Sequence, residues 1–139
     1  MAYKPFKNGR YEYSIEYPSF LQIQYPLPTN GDGVNLVTPN GDTKLTISGY
    51  NNGLGETPVT VYDDLLQQHP DASYKKQSGN QVIFSWIEGD SIVYKKQIVG
   101  SGSINSFVIK YPISQKSYYN SIIDHLSSSF STPGINDTH

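Results

Sequence analysis

Cysteine is absent from this chain of 139 residues, which excludes a disulfide framework, a thiolate zinc site and a cysteine nucleophile together. The same absence makes the chain indifferent to redox potential, so it does not choose a compartment. Arginine is nearly absent as well. Arg10 stands alone among 10 Lys and Arg residues, and the planar fork that reads phosphate or carboxylate bidentately is missing elsewhere. Set against 12 Asp and Glu, the formal charge is -2, which supplies no drive toward nucleic acid or an anionic membrane. Apolar runs are short, far below the length that crosses a bilayer as a helix. There is no Gly-x-Ser-x-Gly turn, no His pair at i, i+4, and Gly53-Leu54-Gly55 lacks the third glycine of a dinucleotide fingerprint.

What is present is aromatic and turn-rich: 12 Tyr, 12 Gly and 9 Pro in a chain that is 36% hydrophobic. That profile fits one compact, strand-rich domain over residues 1–139, a size at which folding buries roughly two-thirds of the unfolded surface. The opening Met1-Ala2-Tyr3-Lys4-Pro5 reads equally as a native start or as a start after a removed export signal or lipid anchor.

Tyr11, Tyr13, Ile15 and Tyr17 alternate with Glu12, Ser14 and Glu16, which predicts a half-buried first strand ended by Pro18. A short strand over Phe20 to Ile23 precedes the loop from Pro26 to Gly33. Val34 to Val37 and Thr43 to Tyr50 flank Pro39-Asn40-Gly41-Asp42, a hairpin turn signal. Thr57-Pro58 opens a helix with Val61, Tyr62, Leu65 and Leu66 at helical spacing, closed by Pro70. Four strands follow, Tyr74 to Gln77, Gln81 to Glu88, Ile92 to Val99 and Ile104 to Tyr111, joined by hairpin-length spacers. The third spacer, Gly100-Ser101-Gly102, reads as a flexible link. Apolar groups on both faces of Gln81 to Glu88 predict an interior strand covered on both sides. Ser114 is placed to cap a last helix with the stripe Tyr118, Tyr119, Ile122, Ile123, Leu126 and Phe130, and residues 131–139 read as a disordered tail. The order strands, helix, strands, helix predicts an α+β fold, an antiparallel sheet with helices on both faces; a one-sided layer is the alternative.

Arg10-Tyr11-Glu12-Tyr13-Ser14-Ile15-Glu16-Tyr17-Pro18, then Asn30-Gly31-Asp32-Gly33 and Thr38-Pro39-Asn40-Gly41, resemble a pattern of small bacterial exported proteins of the PsbP-like fold. Tyr111-Pro112 leading into Tyr118 to Phe130 is similar to the way that group ends. The resemblance implies an α/β/α sandwich, binding to another macromolecule rather than catalysis, and an extracytoplasmic place in the periplasm, at the cell surface or outside the cell. It leaves a cytoplasmic location open and carries over no binding residue, cofactor or metal.

The residues themselves offer several chemistries, each with a plainer reading beside it. His69 or His125 with Asp63 or Asp124 supplies the parts of a hydrolase, but His69 also suits a helix C-terminus and Asp63-Asp64 the first half of a helix. Asn30 and Asp32, Asn40-Gly41-Asp42 and Glu88-Gly89-Asp90 carry oxygen ligands for a hard cation, yet each is also an ordinary turn. The loop from Asn51 to Glu56 precedes a helix start, where free N–H groups attract an anion. Alternation places Lys44, Thr46, Ser48 and Tyr50, Lys75 and Gln77, Lys95 and Gln97, and Ser106 and Lys110 opposite the apolar sets. Together they predict a mildly basic, Tyr-edged surface, for which a merely solvated face is the competing reading.

These observations lead to a non-enzymatic protein-binding or adaptor domain with Lys44, Ser48, Tyr50, Lys95 and Lys110 as its candidate surface. The alternative is a small-molecule or ion binder with a pocket between helix and sheet near Trp86.

Overall fold

A computed structural model describes residues 1–137 of the chain. The first two strands, β1 (Tyr3–Asn8) and β2 (Tyr13–Pro18), pair as an antiparallel ribbon. Seven strands make the main sheet: β3 (Gln22–Ile23), β4 (Gly33–Val37), β5 (Lys44–Asn51), β6 (Tyr74–Ser78), β7 (Gln81–Glu88), β8 (Ser91–Val99) and β9 (Ser103–Pro112). Their spatial order is β3-β4-β5-β9-β8-β7-β6, and each pairing is antiparallel. Helix α1 (Pro58–Gln68) follows β5; helix α2 (Lys116–Ser129) follows β9 through a 3-10 turn at Ile113–Gln115. The chain is therefore α+β, an antiparallel sheet with two helices.

Local chemistry explains the boundaries. In the β4–β5 hairpin Gly41 takes φ 78°, which a side chain resists, while the Asn40 side chain accepts from the Asp42 amide at 3.1 Å. At the start of α1 the Thr57 hydroxyl accepts from the Thr60 amide at 3.2 Å and the Thr60 hydroxyl accepts from the Thr57 amide at 2.9 Å. This reciprocal box satisfies two orphan donors, and Pro58 at the first helical position loses nothing. The helix ends where the His69 amide donates to Leu65 at 2.8 Å, just ahead of Pro70.

Two apolar clusters hold the molecule. Leu45 and Ile47 of β5 with Phe107 and Ile109 of β9 meet Tyr119, Ile122 and Leu126 of α2, together with Tyr11, Tyr13 and Ile15 from the ribbon side. Val61 and Leu65 of α1 meet Val82 and Phe84 of β7, Val99 of β8 and Ile104 of β9. Along β9, Ile104 and Phe107 are an odd number of residues apart, so their side chains leave the strand on opposite sides. Full burial of a side chain such as Ile122 contributes about 1.5–3 kcal/mol.

The structure departs from the sequence reading at several points. Strand β1 was not expected, because Tyr3-Lys4-Pro5-Phe6 has little alternation and a proline; its pairing with β2 supplies what its own pattern lacks. Ser114 does not cap α2: it lies within the 3-10 turn, and Gln115 at the cap position makes no side-chain cap bond. Tyr118 leaves the apolar stripe and is half exposed, whereas Tyr119, Ile122, Ile123 and Leu126 are buried. Strand β7 is interior and Ile83 is covered, but Ile87 is 63% exposed, so cover on its second face is incomplete.

The expected disordered tail is docked over residues 131–137; residues 138 and 139 lie outside the described residues. Ser131 and Ser14 exchange backbone bonds of 2.9 Å, and the Gly102 and Ser103 amides donate to the Ile135 carbonyl at 3.1 and 3.0 Å. This docking also explains Gly100 and Gly102. A Cβ on Gly102 would sit 1.7 Å from the Asp137 carbonyl oxygen, so the glycines are there for close approach rather than for a flexible link.

Candidate functional site

Sheet register gathers most of the expected surface. Lys44 lies opposite Lys110, Thr46 opposite Val108, Ser48 opposite Ser106 and Tyr50 opposite Ile104. On the next strand Lys95 lies opposite Val108 and Gln97 opposite Ser106. All share the parity of the residues that meet α1, so the short helix forms a wall beside a polar floor.

That floor is electrostatically incomplete. Lys110 pairs with Glu88 at 3.2 Å. Lys95 and Lys44 have neither ion pair nor hydrogen bond among the described residues. Lys95 is also mostly covered, and burial alone holds its ammonium below the usual lysine range. Lys44 and Lys110 face each other directly, a like-charge cross-strand pair that disfavours the sheet. Around them the hydroxyls are partly satisfied: Thr46 donates to the Asn35 side chain at 2.7 Å, and Ser48 and Ser106 lie 3.5 Å apart. At the helix wall, burial raises the Tyr50 phenol, with the Glu56 and Asp64 carboxylates adding to the effect.

Lys75 and Gln77 do not join this floor. They lie on edge strand β6 opposite Phe84 and Val82, on which α1 is seated, and the Lys75 ammonium donates to the Pro70 carbonyl at 3.1 Å. Trp86 sits beneath His69, with ring centroids 3.6 Å apart and planes 13° from parallel. A pocket of about 230 Å³ opens there between the end of α1 and β7, and the buried Trp86 Nε1 has no hydrogen-bond partner among the described residues.

The other candidate chemistries resolve into structural contacts. His125 Nε2 lies 2.6 Å from the Glu16 carboxylate, and its ring stacks on Tyr3 at 3.5 Å, tying α2 to the ribbon. The turn at Asn30 to Gly33 is bound by protein donors: the Tyr13 hydroxyl and Gly49 amide donate to the Asp32 carbonyl, and Arg10 to that of Asn30. No group of three or more acidic, His or Cys side chains is placed to hold a metal among the described residues. In the loop from Asn51 to Glu56, the Asn52 side chain already accepts the Glu56 amide at 2.8 Å and donates to the Glu56 and Gly100 carbonyls. Those contacts and the Thr57–Thr60 box occupy donors that an anion would use.

Sequence reasoning missed a larger cleft, of about 680 Å³, between α2 and strands β6 to β8. Tyr74, Ser85, Ile87, Tyr94, Asn120 and Asp124 line it, on the parity opposite to the lysine floor. Uncovered Ile87 was the one signal in the sequence, an outward apolar residue on an interior strand.

Similar architectures are known. The solution structure of the PsbP protein of the cyanobacterium Synechocystis superposes with a TM-score of 0.60 at 11% identity, covering 94% of this chain and 92% of that one. The fold is the one that PsbP and Mog1 share. The Ran-binding protein Mog1p of Saccharomyces cerevisiae gives a TM-score of 0.61 at 9% identity, over 95% of this chain and 96% of its own. A protein from Bacteroides thetaiotaomicron gives 0.58 at 14% identity, over 95% of this chain and 49% of that one. No protein-family model and no curated protein matches the chain. No helix among the described residues is long and apolar enough to cross a membrane.

Proposed function

We propose that this chain is a non-enzymatic protein-binding or adaptor domain, exported or surface-anchored in a bacterium. In this reading it is an α/β/α sandwich that receives an acidic surface of its partner on the floor of Lys44, Ser48, Tyr50, Lys95 and Lys110. The observation that carries the reading is Lys95, a covered ammonium without a counter-ion beside two facing lysines. An unpaired, partly desolvated cation weakens a fold unless it has another use, and a partner carboxylate would restore the missing interaction. That one solved neighbour is a Ran-binding protein adds support for a protein partner.

The test is photo-crosslinking from Lys44 and, as a control, from Lys7 on the ribbon, in membrane, soluble and extracellular fractions of source cells. A partner captured from Lys44 only, and lost in a Lys95→Glu, Lys110→Glu double variant, is the expected result. Equal capture from both positions, or capture indifferent to charge reversal, would sink the proposal.

A second reading, a small-ligand pocket at Trp86, is favoured by the orphan Nε1 donor. At about 230 Å³ it suits only a small occupant. Because Trp86 is the sole tryptophan, its fluorescence reports occupancy directly.

A further inference from the structure

The cleft beneath α2 is separate from the lysine floor and is lined by strand residues of the opposite parity. Its base is set by sheet register: Tyr74, Ser85 and Tyr94 form one cross-strand row over β6, β7 and β8. The two tyrosines thus stand two strand spacings apart, roughly 9–10 Å, with only a serine side chain between them. A ring in van der Waals contact on both sides needs about 7–8 Å, which that backbone spacing accommodates, and Tyr94 is steadied on its far side by stacking on Phe107 at 6.0 Å. In the adjacent row Ile87 and Ile92 extend the apolar base, and Ile87 is left 63% exposed although it belongs to an interior strand.

The wall has a different character. Lys116, Asn120 and Asp124 follow one another at intervals of four along α2 and therefore share one helical face. That face is fixed because Tyr119, Ile122, Ile123 and Leu126 lock the helix onto the core. One ammonium and one carboxylate balance, so the wall selects no net charge. The Tyr94 phenol is pushed up to about 12, first by burial and then by Tyr74 and Asp124, and remains a neutral donor and acceptor at physiological pH.

We propose that this cleft binds a neutral polyhydroxylated ring, a saccharide unit, held between Tyr74 and Tyr94 with its hydroxyls on Asn120 and Asp124. A saccharide presents C–H faces to the tyrosines and outward hydroxyls to an amide and a carboxylate. A purely apolar or flat aromatic occupant fills the slot but strips water from Asp124 and Asn120 without replacing its hydrogen bonds.

The experiment is titration of the full ¹⁵N-labelled chain with glucose, galactose, mannose, N-acetylglucosamine and their disaccharides, followed by NMR. The expected result is saturable shift changes centred on the amides of Ser85, Ile87, Tyr94, Asn120 and Asp124 for at least one probe. Asp124→Asn should weaken that binding tenfold or more, and Tyr74→Ala likewise. Both side chains lie at the surface of the cleft, and an unchanged spectrum elsewhere verifies folding. The inference is overturned if none of these sugars moves those amides, if the variants bind as the wild type does, or if only an apolar dye such as anilinonaphthalene sulfonate occupies the cleft.

Discussion

The two apolar clusters, one built on α2 and one on α1, are made to different standards. On the α2 side a 14-residue helix and the ribbon together cover β5 and β9 with a continuous aromatic cluster that includes Tyr13, Phe107, Tyr111 and Tyr119. On the α1 side an 11-residue helix, roughly 16 Å long, faces a sheet about 29 Å wide. It covers part of β6 to β9 and leaves the remainder to Lys44, Thr46, Lys95 and Lys110. The difference teaches that helix length decides which part of this sheet becomes core and which part becomes surface. In β5 and β9 strand sequence follows, apolar where a helix lands and polar where none does, with exposed Ile87 on β7 the exception to that pattern.

The comparison is broken most directly at its strongest point. Phe107 is fully buried and packs edge-on against Phe130 at 5.5 Å, so Phe107→Ala should cost about 3–5 kcal/mol in urea unfolding. Val61→Ala on the α1 side should cost visibly less, and equal losses would refute the asymmetry. Next in size, Gly102→Ala should undock residues 131–137, with a loss of about 1–3 kcal/mol and faster proteolytic trimming of the C-terminus.

A smaller effect of opposite sign belongs to the floor. Lys95→Met should stabilise the isolated protein by up to about 1 kcal/mol at neutral pH while abolishing partner capture. The sign in pH follows from its lowered folded pKa. Between that value and the unfolded value of 10.5 the unfolded chain binds more protons, so stability from this group rises with pH. Thermal melts from pH 7 to 9.5 should show that rise flattened in Lys95→Met. The remaining slope combines Lys96, held low by burial and by Lys76, with an opposite contribution from phenols that burial raises, Tyr13 and Tyr94 among them. Smallest of all, Glu16→Gln removes an exposed pair with His125 and should shift stability by less than about 1 kcal/mol. A larger loss would mean that the ribbon, not the sheet, governs the α2 side.

Much of this architecture was legible because its signals are local. Thr57-Pro58, Asn40-Gly41 and the alternation through β5, β7, β8 and β9 act within a few residues, and the lysine row of the floor came with that alternation. What escaped depends on contacts between distant segments. Strand β1 is defined by its partner, the Gly102 requirement by a carbonyl far along the chain, and the tail by Ser14. The cleft beneath α2 escaped for the same reason. Where the last helix stops covering β7 is a property of packing, and Ile87 alone hinted at it.

The place of β9 has one more consequence. This last strand is the seam between two meanders, β3-β4-β5 and β8-β7-β6, and it joins β5 across more than 50 residues of intervening chain. During synthesis the outer edge of β5 stays unsatisfied until β9 has left the ribosome, a window in which that edge is open to improper pairing. The same seam makes the molecule divisible. A cut after α1 yields two pieces with matching edges, β5 on one and β9 on the other, whose rejoining restores that ladder together with the seat of α1 on β7 and of α2 on the ribbon.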